Sequence, residues 1–320
     1  MIVEKEAKIA NFNLVIGQDE PMLEYFDTLV FPAFTSGIIK KEKDAEYTFS
    51  GVSINHSIEN DYVLVGKIVK KTVLEIKSDL NEKGELIEKD ELYSSAPYST
   101  FVIYLRNHRM MLVPNQKGSP TLGSFRSTSY YLLNEYRKRI NSKEENQDKI
   151  PELDLTVVGI PSALNIKEIL GSVDKVNELK LKFYPLNGDI DMTGLFSSIT
   201  SGIREVVGSK RGEIVLRSPK NMEGITKVLE ESAGTVEPII TATTKEKTKV
   251  RIREADISEK HKLKLRETKD FKKENQDIID ESARITTLKY TNKEHDNIYE
   301  RNLSRIKKYE FNKYEGSSGG

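Results

Sequence analysis

The chain has 320 residues and no net charge, because 50 Lys and Arg balance 50 Asp and Glu. Its length allows two domains of ordinary size. The absence of cysteine excludes disulfides and thiol catalysis and favours a reducing cytoplasm. Four widely separated histidines disfavour a histidine-rich metal site, and we predict neither a metal nor a cofactor. A charged N-terminus and the lack of a long uncharged run predict a cytoplasmic protein without membrane insertion.

The first 145 residues predict a mainly antiparallel β lobe closed by one helix. Residues 1–8 are highly charged and are expected to be frayed. Alternating apolar side chains then favour strands. These strands cover residues 9–16, 47–54, 62–70, 72–77, 101–105 and 109–113. A charged hairpin tip is expected at residues 81–90, and a Gly/Ser/Pro loop precedes the helix at residues 127–140.

A second lobe is predicted at residues 146–256, after a polar linker around residues 142–149. Strand and helix patterns alternate in it, which favours an α/β sandwich of ferredoxin-like kind. Its expected strands are 153–158, 178–184, 213–217, 236–243 and 247–253, and its longest expected helix is 190–207. Residues 257–315 carry a thin apolar stripe and predict a charged helical tail, while residues 316–320 resemble a linker remnant. The predicted fold class is therefore α+β.

Basic residues concentrate in two stretches of this neutral chain. Residues 97–141 hold seven Lys and Arg against one acid, and residues 245–273 hold twelve against six. A positive surface on an otherwise acidic protein attracts polyanions while limiting indiscriminate binding. We therefore predict that selected cations of these stretches bind nucleic acid. They are Arg106, Arg109, Lys117, Arg126, Lys247, Lys249, Arg251, Arg253, Lys260, Lys262, Lys264 and Arg266.

Each basic stretch has a functional and an ordinary interpretation. The loop around Lys117 offers backbone N–H groups and hydroxyls beside its cations, as phosphate contacts require, but a solvated hairpin explains it as well. The run KTKVRIR at residues 247–253 places four cations on one face if it is extended. Like charges there repel unless an anion neutralises them, although a charged edge strand that prevents aggregation is the alternative. Tyr130 and Tyr136 fall on one face of the predicted helix with Leu133, which favours packing in the core over stacking on bases.

An enzymatic function has weaker support, since the sequence contains no nucleophile elbow, phosphate loop or zinc-ligand set. A metal-dependent nuclease needs an acid followed by Glu-x-Lys on a neighbouring strand. Two loose candidates are Asp61 with Glu75 and Lys77, and Asp154 with Glu178 and Lys180. Glu-x-Lys occurs four times in a chain rich in both residues, so the pattern is close to chance.

Four stretches together resemble the Rex-like phage-exclusion proteins, a defence family related to RexA. They are GKIVKKTVLEI (66–76), APYSTFVIYLRNHRMM (96–111), SFRSTSYYLLNEY (124–136) and NELKLKFYPLNGDI (177–190). The resemblance covers roughly residues 11–266 in order and arrangement. It implies two lobes, a homodimer and sequence-tolerant DNA binding similar to that of the recombination-associated protein RdgC. The resemblance assigns no catalytic residue to this sequence.

These observations favour a non-enzymatic protein of phage defence or exclusion. It would bind double-stranded DNA with weak sequence selectivity, as a homodimer. Nothing in the sequence resembles a recognition helix of the known DNA-binding motifs. Two alternatives stay open. One is an interaction or sensor subunit that docks a protein partner or a phage component through its C-terminal tail, and the other is the metal-dependent nuclease.

Overall fold

The structure is a computed structural model that describes residues 1–143, 148–186, 206, 208–209 and 211–310. It is 32% helical and 42% strand, with a curled antiparallel sheet, which confirms the α+β fold class. The helix predicted at residues 190–207 lies, apart from residue 206, outside the described residues. Residues 316–320 also lie outside them.

The described residues form thirteen strands in two sheets. In chain order they are β1 (Ile2–Ile16), β2 (Lys40–Glu42), β3 (Ala45–His56), β4 (Tyr62–Leu80), β5 (Leu86–Ser95), β6 (Tyr98–Tyr104), β7 (Arg109–Pro114), β8 (Leu153–Gly159), β9 (Val173–Phe183), β10 (Gly212–Arg217), β11 (Val236–Thr244), β12 (Lys249–Arg253) and β13 (Lys260–Arg266). The helices are α1 (Phe31–Thr35), α2 (Leu122–Asn141), α3 (Ala163–Ser172), α4 (Met222–Glu231), α5 (Glu254–Ile257), α6 (Phe271–Ser282), α7 (Thr286–Lys289) and α8 (Lys293–Lys307).

The first sheet has nine strands in the order β13-β1-β7-β6-β4-β3-β2, with β5 paired to β4 and β8 paired to β1. Its central strands are buried on both faces, which explains near-continuous apolar runs such as FVIYL. On β6, Phe101 belongs to one core with α1, α2 and α8, while Val102 belongs to a second core with α6 and α7. Phenylalanine rings fill the first core, and Phe101 lies 5.2 Å from Phe125 between ring centroids.

The C-terminal segment is part of this first sheet. The predicted helical tail is wrong for Lys260–Arg266, which form β13 antiparallel to β1, with Leu263 opposite Lys5. The prediction of a frayed start is also wrong, because the same pairing holds β1 from Ile2 onward. A run of charged residues by itself suggests an unstructured segment. In β13, however, the charged residues alternate with Leu263 and Leu265 at a period of two, which is a strand pattern, and these leucines are buried under α6 and α7.

The second sheet contains four antiparallel strands in the order β10-β9-β11-β12. Helices α3 and α4 cover one face through an apolar cluster that includes Ile166, Leu179, Ile225 and Leu229. The strand predicted at residues 153–158 to open this lobe is instead β8, which pairs with β1 of the first sheet. The ferredoxin-like comparison stays a prediction, because the connection from β9 to β10 passes through residues outside the described ranges.

A buried ionic network fixes α6 on the first sheet. Lys67 on β4 is 5% exposed and donates to Glu274 at 2.8 Å, Asn275 at 2.9 Å and Thr100 at 3.1 Å. Glu274 also accepts from Lys5 at 2.9 Å. Burial alone raises the pKa of the Glu274 carboxyl, but hydrogen bonds from Lys67 and Lys5 outweigh burial and hold that pKa below its usual 4.5. Nothing in the sequence pattern indicated that Lys67 points inward.

We expect Glu274→Gln to lower the free energy of unfolding by about 3 kcal/mol, because it leaves Lys67 buried without a counter-charge. Urea denaturation measures this loss. Since the pKa of Glu274 is lowered by folding, its stabilisation is complete above pH 4.5 and is lost as the pH falls below that value. In Glu274→Gln, the free energy of unfolding should lack this part of its decrease at acid pH.

Glu281→Gln is the matched control in the same helix, since its partner Arg284 is exposed at the surface. A surface ion pair contributes ~1 kcal/mol or less. Equal losses in the two variants would contradict a special role for the buried network.

Candidate nucleic-acid interface

Arg106, predicted to contact phosphate, is instead engaged within the protein. Its guanidinium pairs with Asp61 and Asp296, both at 2.8 Å, and lies 4.4 Å from the ring centroid of Tyr299. Its burial would lower the pKa, but hydrogen bonds to the two carboxylates prevail and raise it. Arg106 thus joins the β6–β7 turn to α8, and this engagement disfavours the phosphate contact that the sequence predicted.

Arg109 is also turned inward and is 9% exposed. Its Nη1 donates to the carbonyl oxygen of Ala233 at 2.9 Å, and Asn11 donates to the same oxygen at 2.7 Å. Desolvation lowers the pKa of Arg109 to about 10. Arg109 therefore ties the first sheet to the turn that follows α4, and its burial disfavours the predicted contact with nucleic acid.

A cavity of about 670 Å³ lies beside Arg109, between the first sheet and the two helices of the second lobe. Residues lining it include Ser162, Glu259, His261 and Tyr290. Glu259 accepts hydrogen bonds from Thr287 at 2.8 Å and contacts His261. Acidic and basic groups thus both face this space, which is not a basic groove of the kind that a nucleic-acid backbone requires.

Lys117 and Arg126 remain accessible but lie apart from the two arginines. Lys117 is exposed in the loop after β7. Arg126 on α2 is half-buried, with its guanidinium carbon 5.9 Å from the ring centroid of Tyr184. The first basic stretch therefore does not form one exposed surface, because Arg109 is buried and Arg106 is held by two carboxylates, whereas Lys117 and Arg126 reach solvent.

The strand β12 presents the best-exposed cations of the second stretch. Lys249, Arg251 and Arg253 are exposed on one face, while Val250 and Ile252 between them pack on the apolar cluster. No carboxylate of the described residues lies within 4.0 Å of these three cations in an ion pair. Lys247 departs from the prediction, since it lies in the turn before β12 with φ 65° and pairs with Asp174 at 2.8 Å.

Neighbouring strands add three cations to this face, which is the one opposite α3 and α4. Ile239 of β11 lies between Arg253 and Lys180, and Thr241 lies between Arg251 and Glu178. We define the basic sheet face as Lys180, Lys182, Arg217, Lys249, Arg251 and Arg253. The first three were not predicted from the sequence, although they alternate with Leu179, Leu181 and Leu216, a pattern that indicates an exposed strand face.

Acidic residues partly neutralise the positive charge of the basic sheet face. Glu213 pairs with Lys180 at 3.0 Å, and Glu237 accepts a hydrogen bond from the Tyr184 hydroxyl. Glu178 lies opposite Arg217 in the sheet register. The uncompensated charge therefore lies toward the β12 edge, where β11 contributes threonines rather than acids.

The four predicted cations of β13 lie on a different sheet, and two of them pair with acids. Lys260, Lys262, Lys264 and Arg266 are exposed on one side of the strand. The neighbouring strand β1 places Glu4 at 2.9 Å from Lys262 and Glu6 at 3.6 Å from Lys260. The hydrogen bond to Glu4 raises the pKa of Lys262. Mixed charges across a strand pair stabilise it, so this face is largely compensated within the protein.

The acids of the proposed nuclease are also engaged. Asp61 accepts from Arg106, and Asp154 pairs with Arg211. Among the residues that the structure describes, no group of three or more His, Cys, Asp or Glu is placed to hold a metal ion. No helix in the same part of the chain is long and apolar enough to cross a bilayer. Comparison with protein-family models and with curated proteins finds no match.

We expect Arg106→Gln to lower the free energy of unfolding by about 2 kcal/mol, because Asp61 and Asp296 lose their shared partner. Chemical denaturation measures the loss, and a gel shift on the folded variant should show unchanged DNA affinity. Arg284→Gln, which removes an exposed arginine, serves as the control. Full stability combined with weakened DNA binding would return Arg106 to the interface.

Proposed function

We propose that the protein is a non-enzymatic, weakly sequence-selective DNA-binding protein that uses the basic sheet face. The observation that carries this proposal is the row Lys249, Arg251 and Arg253, exposed on an edge strand without a described carboxylate partner. Like charges two residues apart on a strand repel each other, so an anionic ligand that neutralises them is favoured.

Contacts from such a face would go to phosphates. Lys and Arg on a sheet supply the charge-assisted hydrogen bonds that position a protein on duplex DNA, and phosphates carry no sequence information. Weak selectivity follows from this, since the described residues offer no helix projecting from the face into a groove. The phosphate-binding loop around Lys117 is a second, separate contact in this proposal.

The setting in phage defence or exclusion rests on the resemblance to Rex-like proteins. That resemblance supports a homodimer, an arrangement with two lobes and RdgC-like DNA binding. The cytoplasmic location and the ferredoxin-like second lobe are supported by the composition and the strand–helix pattern instead. The two-sheet architecture of the chain agrees with this expectation at the level of the α+β class. The cations on β13 and the two inward arginines have no part in the proposal.

DNA affinity should fall steeply with salt, because phosphate contacts release condensed counterions. Six contacts predict a loss of about a thousandfold between 50 and 200 mM salt. A gel-shift or anisotropy series on duplexes of unrelated sequence measures both this slope and the selectivity. A flat salt dependence, or no binding at low salt, would contradict the proposal.

Neutralising Arg251 and Arg253 to Gln should weaken DNA binding and reduce the magnitude of the logarithmic salt slope by about two. The matched control neutralises Lys260 and Lys262 to Gln on β13, where Glu6 and Glu4 already compensate the charge. The same titration applies to both double variants. Equal effects would show that net charge, rather than the basic sheet face, governs binding.

A second candidate function, a protein-interaction or sensor subunit, is favoured by a different observation. The C-terminal segment expected to dock a partner packs on its own first sheet. The exposed apolar side chains concentrate instead on the outer part of the β4–β5 hairpin. Large exposed apolar surfaces are typical of protein contacts, so this hairpin is where such a contact would form.

A further inference from the structure

The outer part of the β4–β5 hairpin forms an arm that extends beyond the first sheet. We define the β-arm as residues 72–95, where β4 pairs only with β5 beyond Thr72. Its apolar side chains are mostly in solvent, with Leu74 56%, Leu80 64%, Leu86 75% and Leu92 69% exposed. A two-stranded hairpin alone is marginally stable in water and needs further strands or an apolar cover.

Both long edges of the β-arm are free among the described strands. Strand β3 pairs with β4 only as far as Thr72, and β6 pairs with β4 only from Val63 to Val69. The edge of β4 from Val73 to Leu80 therefore presents its backbone N–H and C=O groups outward. An unpaired strand edge is a template for pairing with another chain.

The sequence of this edge favours an identical, antiparallel partner. When two copies pair about a two-fold axis at Ser78, Lys77 of each copy lies opposite Asp79 of the other. The same register places Ile76 opposite Leu80 twice. Opposite charges and apolar pairs directly across strands are both stabilising. The edge is thus complementary to itself, as a two-fold interface requires.

Sterics and charge exclude the neighbouring registers. An axis at Ile76 would bring Leu80 of one copy against Thr72 of the other, where Ala45 already pairs. An axis at Lys77 or Asp79 would place like charges against each other. The free edge of β5 is less suitable, because its register with β4 shifts near Lys89 and β5 carries three acids against one lysine.

We propose that two copies of this chain associate through their β-arms, with β4 pairing antiparallel to β4 about Ser78. The product is a four-stranded sheet in the order β5-β4-β4-β5. Leu74, Ile76, Leu80, Leu86 and Tyr93 of each copy lie on one face of it, which also carries Ser78, Glu88 and Glu91 near the axis. This proposal rests on the dimeric part of the proposed function and specifies its interface.

The chain has no cysteine, so a single Ser78→Cys places the sole thiol of each copy at the axis. Directly opposed residues in antiparallel strands lie ~5 Å apart between Cα atoms, within the range of a disulfide. We expect mild oxidation to convert Ser78→Cys largely into a covalent dimer on a non-reducing gel. The two thiols lose their hydrogens to the added oxidant as the S–S bond forms.

Ser94→Cys on β5 is the matched control, because it makes the same isosteric change at an exposed position of the same arm. In the proposed sheet the two β5 strands lie three strand spacings apart, ~14 Å, which no disulfide spans. Cross-linking of Ser78→Cys that does not exceed that of Ser94→Cys would overturn the proposal.

A charge exchange tests the register independently. Lys77→Glu and Asp79→Lys should each weaken self-association about tenfold, since each creates two like-charge pairs across the axis. Mixing the two variants should restore the dimer, because each substituted side chain of one variant then faces an opposite charge on the other. Sedimentation equilibrium measures the three association constants. A mixture no tighter than the single variants would overturn the register.

DNA binding measured in the same variants separates the two proposals. Dimerisation through the β-arm without salt-dependent DNA binding would leave the interface standing and refute the proposed function. DNA binding by a protein that stays monomeric at all concentrations would refute the interface and leave the basic sheet face standing.

Discussion

The pairing of β1 with β13 is the contact on which the rest of the molecule depends. The 15 residues of β1 pair with β13 along their first half, with β8 along their second half and with β7 on the other edge. One strand thus holds three distant parts of the chain together. Helices α6, α7 and α8, whose apolar stripes are narrow, reach both cores of the first sheet because β13 brings them there.

The same pairing decides the electrostatics of the C-terminal basic stretch. Strands β12 and β13 carry almost the same alternation of cations and apolar residues. Strand β13 lies beside Glu4 and Glu6, which compensate Lys262 and Lys260, whereas β12 lies beside Thr241 and Thr243. A neighbour's side chains, rather than the strand's own pattern, therefore determine which face can bind an anion.

In the first basic stretch, contacts within the protein engage the cations instead of leaving them for a ligand. Arg106 and Arg109 are stabilised inside because carboxylates or a backbone carbonyl replace their water. Lys67 follows the same rule through Glu274. These three cations therefore hold helices and lobes in place and are not available to a ligand. The exposed positive charge lies on the second sheet, where fewer carboxylates pair with the cations.

The sequence by itself determined the α+β class, the strand pattern at residues 62–70, 101–105 and 109–113, and the helix at residues 127–140, observed as Leu122–Asn141. Residues 72–77, predicted as a separate strand, instead continue β4. It also predicted which residues of β12 share a face, because side-chain alternation depends only on the backbone. Only the tertiary structure decided that β8 and β13 join β1, that Arg106 and Arg109 point inward, and that Lys180, Lys182 and Arg217 join β12 on one face. The physical reason is that periodicity is a local property, whereas the partner of a strand and the counter-charge of a cation come from residues far away in the chain.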